Sequence, residues 1–136
     1  ADFIGSPSMN LIQGKLIQNS NKILFNPEDS NKNIQIPIDN YNFKDKTGLD
    51  NKEVFFGIRP EHIYYKKTNE NDFEVDLKAE LSEYIGNEQI ITFNYSNQEI
   101  LAKFASTIQI EINKDINLFL DLNQISLFDK NTKNRI

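Results

Sequence analysis

The chain has 136 residues, with 20 acidic and 15 basic side chains, a formal charge of −5 and a pI of about 4.9. This length fits one domain or two small lobes that share a core. The absence of cysteine excludes disulfides, thiolate metal sites and a cysteine nucleophile. No apolar run approaches the roughly 18 residues of a membrane span, and no secretory signal is visible. The sequence therefore predicts a soluble cytoplasmic protein.

The first half of the chain contains short apolar segments of strand length. The predicted strands span residues 10–18, 23–25, 34–38 and 54–58. Pro37 lacks a backbone N–H, so we expect its strand to lie at a sheet edge. Short helices are predicted only over residues 3–9 and 41–49. The polar stretch at residues 40–52 is the candidate boundary between a first lobe (1–52) and a second lobe (53–136).

The second half alternates apolar and polar residues even more regularly. Its clearest strand covers residues 73–82, where every second side chain is apolar and the others are polar or charged. The remaining predicted strands span residues 90–93, 100–104, 108–112, 116–120 and 125–128. Residues 94–98 have turn chemistry and predict a hairpin. Eight to ten short strands with frequent turns indicate an all-β barrel or sandwich.

Residues with catalytic potential are few. The single histidine, His62, has no second histidine to share a metal, and we interpret it as a partly exposed side chain at a strand-to-turn corner. Glu80, Glu83 and Glu88 are close in sequence, but solvated charges are common at strand ends. No glycine-rich phosphate loop is present. The sequence thus predicts no catalytic, cofactor or metal site in this chain and favours a binding or regulatory module.

The charge pattern also argues against nucleic acid as a partner. Arg59 and Arg135 lie far apart in sequence, and the pair Lys66 and Lys67 is the only basic doublet. Phosphate recognition requires clustered basic residues. We therefore interpret the lysine pair as a solvated strand end.

Four sequence motifs are more specific than these patterns. They are FIGSPSMN at residues 3–10, GIRPEHI at 57–63, EYIGNE at 83–88 and LFDKNTKNRI at 127–136. Their order and spacing resemble the C-terminal regulatory domain of the ATP-binding subunits of carbohydrate-type ABC importers, such as the maltose and glycerol-phosphate importers. The resemblance covers essentially the whole chain.

The resemblance implies a fold of small OB-like and MOP-like barrels with few short helices, known as the TOBE domain. It also implies a missing upstream ATPase domain, which would bind ATP and Mg²⁺. Two copies would form a homodimer through the barrels, and transporter membrane subunits would contact the longer parent protein. The expected location is the cytoplasm, peripheral to the inner face of the membrane. A regulatory protein or small ligand is a further possible partner.

The resemblance assigns motif or structural-regulatory roles to thirteen residues. They are Gly5, Ser6, Pro7, Met9, Asn10, Arg59, Pro60, Glu61, Glu83, Gly86, Glu88, Phe128 and Asp129. Gly5 and Gly86 are predicted to supply a positive φ or a close backbone approach. Pro60 should hold Arg59 extended and end the strand, which predicts a structural corner.

The sequence departs from the family pattern at two turns. Lys133 stands where the family ending usually has glycine, and Asn113 precedes Lys114 and Asp115 where the family usually has Gly-Asp. Asparagine tolerates the left-handed conformation better than other non-glycine residues. Asn113 and Asn134 are therefore predicted to take up these turns.

Two functional hypotheses from different classes follow. The first is a non-catalytic regulatory and dimerisation domain of an importer ATP-binding subunit. The alternative is a barrel that senses an oxyanion or metabolite, which the negative charge and the scarcity of arginine disfavour. A single-strand nucleic-acid binder would need a basic groove beside the aromatic residues, and no such groove is evident in the sequence.

Overall fold

The fold is built from β-strands. The computed structural model describes residues 8–28, 34–96 and 98–136, and within them it contains ten strands and one short 3₁₀ helix, Pro60–His62. The strands are β1 (Asn10–Asn19), β2 (Lys22–Pro27), β3 (Ile36–Pro37), β4 (Glu53–Ile58), β5 (Ile63–Tyr64), β6 (Asp72–Ile85), β7 (Glu88–Tyr95), β8 (Gln98–Ala105), β9 (Asp115–Asp121) and β10 (Ser126–Asp129). The predicted all-β fold is confirmed.

The first sheet has the strand order β10-β4-β1-β2-β3 and is antiparallel throughout. Strands β1 and β2 form a hairpin whose turn places Ser20 at a φ of 58°. Pro37 lies on β3, the strand at one edge of the sheet, as predicted from its missing N–H. This sheet brings the beginning, the middle and the end of the chain side by side.

The second sheet has the strand order β5-β9-β6-β7-β8. The long strand β6 pairs with β9 from Asp72 to Lys78 and with β7 from Lys78 to Ile85, and the second pairing contains an irregularity between Ala79 and Leu81. Strands β7 and β8 form the hairpin predicted from residues 94–98. Because β6 changes partner along its length, its second half extends away from β9 as part of the β6–β7 hairpin.

Both sheets contribute to one hydrophobic core. Ile12, Leu16 and Phe56 of the first sheet belong to the same buried cluster as Phe93 and Leu118 of the second. Phe25 stacks on Phe56 with ring centroids 5.1 Å apart. The alternating apolar positions of the strands face this core, which is the arrangement that period-two patterning predicts.

Two local predictions were wrong. Residues 108–112 form no strand, although Ile108 and Ile110 pack against the core. The chain turns at Asn113 (φ 67°), whose N–H donates to the Ala79 carbonyl at 2.7 Å.

Residues 41–49 form no helix. There Asp45 accepts hydrogen bonds from the backbone and hydroxyl of Thr47, and Gly48 has a φ of 66°, both of which compete with helical geometry. The helical turn predicted over residues 3–9 falls largely outside the described residues.

The sheets do not divide at the predicted boundary between residues 52 and 53. Strand β4 lies beyond that boundary, yet it pairs with β1, and β10 from the end of the chain completes the same sheet. The division into lobes 1–52 and 53–136 stays a prediction. In the described residues, the sheet that contains β1, β2 and β3 of the first lobe also contains β4 and β10 of the second.

Candidate functional site

Three of the four motifs meet on the first sheet around Gly57. The register pairs Gly57 of β4 with Leu11 of β1 on one side and with Ser126 of β10 on the other. A Cβ atom at position 57 would overlap the Met9 sulfur and would lie 3.1 Å from Cε2 of Phe128. Met9 and Phe128 therefore pack over the bare backbone of Gly57. Gly5, Ser6 and Pro7 of the first motif lie outside the described residues.

Asn10 connects the first sheet to the open edge of the second. Its amide nitrogen donates to the Leu101 carbonyl, and its amide oxygen accepts from the Leu101 N–H, both at 2.9 Å. The neighbouring Gln98 side chain donates to the Leu11 carbonyl. Asn10 is only 8% exposed. Its side chain thus takes the place of a further strand beside β8.

The second motif forms a corner after β4. Arg59 is extended (φ −77°, ψ 149°), as Pro60 predicts, and a single turn of 3₁₀ helix follows. Glu61 is exposed, His62 is half-buried at the end of this turn, and the His62 N–H bonds the Arg59 carbonyl at 3.0 Å. The geometry agrees with the interpretation of His62 as a corner residue. A functional role for Arg59, Pro60 and Glu61 stays a prediction.

The third motif forms the tip of the β6–β7 hairpin. Gly86 has a φ of 63°, which confirms the positive φ predicted for it. Glu83 and Glu88 are both exposed, and Glu88 lies 3.6 Å from the ammonium of Lys103. The carboxylates lie on strands that pair directly, since Glu83 is opposite Ile90. We find no contact in the described residues that gives these carboxylates a catalytic partner.

The fourth motif is organised by the Asp129 carboxylate. One oxygen accepts from the N–H groups of Asn131 (2.8 Å) and Thr132 (2.9 Å), and the other lies 2.8 Å from Nζ of Lys52. These contacts, the bond from Lys52 foremost, lower the pKa of Asp129 to about 2. Lys133 itself adopts the left-handed conformation (φ 66°). The prediction that Asn134 would absorb this turn was therefore wrong, whereas the prediction for Asn113 is confirmed.

Replacing Asp129 with asparagine should alter the acid dependence of stability. The folded pKa is depressed, so the stabilising charge is present above about pH 4 and is lost as the pH falls through about 2. Because the site is partly screened by solvent, we expect Asp129→Asn to lower the free energy of unfolding by about 1 kcal/mol at pH 7. The difference from wild type should shrink toward zero near pH 2.

Urea unfolding at several pH values measures this difference. Asp115→Asn, at an exposed position, serves as the matched control and should leave the pH dependence unchanged. Parallel stability curves for Asp129→Asn and wild type between pH 7 and 2 would contradict the role of the Asp129 charge.

A polar network that the sequence analysis missed fixes β5 against β9. The Tyr64 hydroxyl donates to Asp121 at 2.5 Å, and the Asn69 side chain donates to Asp121 (3.1 Å) and to Asp72 (3.3 Å). Burial, together with the Asp121 carboxylate, raises the pKa of Tyr64 to about 12. Asp121 is itself buried. No local sequence signal identifies this network, because Tyr64 and Asp121 are 57 residues apart.

The described residues contain neither a candidate metal site nor a helix that could cross a membrane. In ranges 8–28, 34–96 and 98–136, no group of three or more His, Asp or Glu side chains could hold a metal ion. The same part of the chain has no helix with the length and apolarity required to cross a bilayer.

Comparison with known proteins connects the chain to importer subunits. Residues 5–63 match the family model of the MalK OB fold domain. The chain is 30% identical to the oligosaccharides import ATP-binding protein MsmX of Bacillus subtilis, with 98% of this chain and 36% of that protein covered. It is 26% identical to the trehalose/maltose import ATP-binding protein MalK of Thermococcus litoralis (97% and 35%). It is 29% identical to the sn-glycerol-3-phosphate import ATP-binding protein UgpC of Escherichia coli (100% and 35%).

The chain thus spans about a third of the length of the curated relatives that it matches. These relatives are ATP-binding subunits of importers for sugars and glycerol phosphate. The family resemblance predicted from the four motifs is confirmed.

Proposed function

We propose that the chain is the non-catalytic regulatory and dimerisation part of an ABC importer ATP-binding subunit, because its residues 5–63 match the MalK OB fold domain. ATP hydrolysis, with ATP and Mg²⁺, would take place in another domain of a longer parent protein. The chain itself would carry no cofactor. Through that parent, it would work at the inner face of the membrane beside the transporter membrane subunits.

The observation that carries the dimerisation role is the apolar tip of the β6–β7 hairpin. Leu81, Tyr84 and Ile85 are 50%, 65% and 66% exposed. Leu81 and Ile85 lie on one face of the strand and Tyr84 lies on the other, so the tip exposes apolar surface on both faces. Exposed apolar surface of this kind marks interaction sites in soluble proteins. A second copy of the chain is the partner proposed for this tip.

The proposed contact has a simple physical consequence. Two ATPase domains that are attached to a persistent dimer remain at a high effective concentration relative to each other even when they separate. They can therefore open and close without diffusing apart. This role requires no catalytic group in the chain itself.

Sedimentation equilibrium across a concentration series tests this proposal. Replacing the tip with Leu81→Thr, Tyr84→Thr and Ile85→Thr removes apolar surface but keeps β-propensity. We expect the triple variant to fold and to self-associate at least about tenfold more weakly than the wild type. Ile112→Thr, at an exposed isoleucine outside the hairpin, is the matched control. A wild-type chain that stays monomeric at about 1 mM would contradict dimerisation through these barrels.

The alternative function, a small-ligand sensor, is favoured by a different observation. Although the chain is acidic overall, three lysines line a cleft beside the exposed Tyr65 ring.

A further inference from the structure

A cleft of about 640 Å³ opens where β5 and the residues after it face the end of β8. Ile63 and Ile108 contribute apolar walls, and Tyr65 and Phe104 contribute aromatic ones. The volume lies within the range of about 300–1,000 Å³ that is usual for small-molecule sites. The Tyr64–Asp121 hydrogen bond holds β5 against β9 beside this cleft, so one wall is fixed by a buried polar contact.

Three lysines surround this cleft: Lys66, Lys67 and Lys103. Lys66 and Lys67 are exposed, and Nζ of Lys66 lies 5.5 Å from the centre of the Tyr65 ring. Lys103 is half-buried and lies 3.6 Å from Glu88. Glu61 is the carboxylate among the described lining residues. The lining residues of the cleft therefore carry a net positive charge, although the whole chain has a charge of −5.

The aromatic wall provides a surface on which a ring can stack. Tyr65 is 40% exposed, and its ring meets Phe104 edge-to-face with centroids 5.8 Å apart. Phe104 is buried on the core side of β8. The Tyr65 ring is thus held in position by Phe104 while part of its surface stays accessible.

These features together select a class of ligand. Lysine ammonium groups bind phosphate as point charges through charge-assisted hydrogen bonds. An exposed tyrosine adds contact area for a ring at a small entropic cost. A nucleic-acid strand would need a groove of basic residues along its backbone. The strands beside Lys103 carry the exposed carboxylates of Glu83 and Glu88 in its neighbourhood, which would repel such a backbone. A compact phosphate ester therefore fits better.

We propose that the cleft lined by Tyr65, Lys66, Lys67, Lys103 and Phe104 binds a small phosphorylated ring compound. The lysines hold the phosphate, and the Tyr65 ring stacks against the ring of the ligand. This inference specifies the ligand class for a regulatory role and in that sense rests on the proposed function. Binding is measurable on the chain alone, so its failure is distinguishable from a failure of dimerisation.

Isothermal titration calorimetry of the 136-residue chain tests this proposal with four probes. They are glucose 6-phosphate, AMP, glucose and inorganic phosphate. We expect one of the two phosphate esters to bind with a Kd below about 1 mM, and glucose and inorganic phosphate to bind at least about tenfold more weakly. Which ester binds better distinguishes a sugar ligand from a nucleotide.

Two variants locate the binding. Lys66→Gln with Lys67→Gln, and separately Tyr65→Ala, should each weaken ester binding by about tenfold or more. Lys44→Gln with Lys46→Gln removes two exposed lysines elsewhere and should leave binding unchanged. The thermal midpoint of both lysine variants should match that of wild type, since all four lysines are exposed. Tyr65→Ala should lower the midpoint slightly, because it removes the edge-to-face contact with Phe104.

Four results would overturn the proposal. The first is no heat with either ester. The second is equal affinity for inorganic phosphate and the esters, which would indicate an adventitious anion only. The third is ester binding that the Lys66–Lys67 variant retains in full. Binding of a polyglutamate peptide without any response to the esters would also overturn it, because the site would then be a protein-docking surface.

Discussion

Gly14→Ala is expected to lower the free energy of unfolding by about 3 kcal/mol, near the upper end of the usual cost of overpacking. Gly14 lies on β1 between Pro27 of β2 and Val54 of β4. A Cβ there would overlap the backbone carbonyl oxygen of Asn26 and lie 2.7 Å from two ring carbons of Phe25. A backbone atom in a paired strand cannot move away cheaply, and neither can Phe25, which is fully buried against Phe56.

Urea unfolding measures this cost from the shift in the transition midpoint. Gly48→Ala provides the matched control. No atom lies within 4 Å of a Cβ built at position 48, but its φ of 66° should still cost about 1–2 kcal/mol. If Gly14→Ala proved as stable as wild type, the close approach of β1 and β2 at this position would be wrong.

Asn10→Ala is expected to cost about 3 kcal/mol, because it breaks two hydrogen bonds at once. The truncation would leave the N–H and carbonyl of Leu101 without their partner in a part-buried position. Unmade hydrogen bonds of this kind cost more than the net value of the bonds themselves. The loss should affect both sheets, since Asn10 belongs to the first and Leu101 to the second.

Thermal unfolding and amide hydrogen exchange together test this second prediction. Besides a lower midpoint, we expect faster exchange of the Leu101 amide in Asn10→Ala. Asn42→Ala, at an exposed loop position, is the control and should change neither quantity. Unchanged protection of the Leu101 amide would show that Asn10 does not cap β8 in solution.

The sequence predicts the strands well where alternation alone determines them. The period-two pattern of residues 73–82 identifies the centre of β6, and Pro37 identifies an edge strand. The same pattern misleads at residues 108–112. There, Ile108 and Ile110 pack against the core from a segment that forms no strand. The N–H of Asn113, directly after this segment, donates to the Ala79 carbonyl of β6. Alternating apolar residues show which side chains are buried, but a segment can bury them without pairing with another strand.

Long-range partners explain what the sequence analysis missed. Asn10 belongs to a motif that it identified, but the partner Leu101 is 91 residues away and has no distinguishing residue type. Lys66 and Lys67 are exposed shortly after β5, in agreement with the interpretation of a solvated strand end, but only the fold brings Lys103 and Phe104 to the same cleft. The left-handed conformation at Lys133 was assigned to Asn134 on propensity, although the Asp129 turn requires it one residue earlier.

The architecture gives the family motifs a structural explanation. Motif residues at the start of β1, on β4 and on β10 pack around Gly57. The first sheet therefore needs β10, from the last part of the chain, beside β4. Phe128 and Asp129 belong to β10 and lie beside β4. These residues therefore stabilise the first sheet.

We propose that this chain forms part of an importer ATP-binding subunit. The most direct test is to read the coding sequence upstream of Ala1 and to assay the encoded protein for ATP hydrolysis. We expect an upstream phosphate loop of the G-x-x-x-x-G-K-[ST] type and measurable ATP turnover. A start codon at or near Ala1, or an encoded protein that does not hydrolyse ATP, would contradict it.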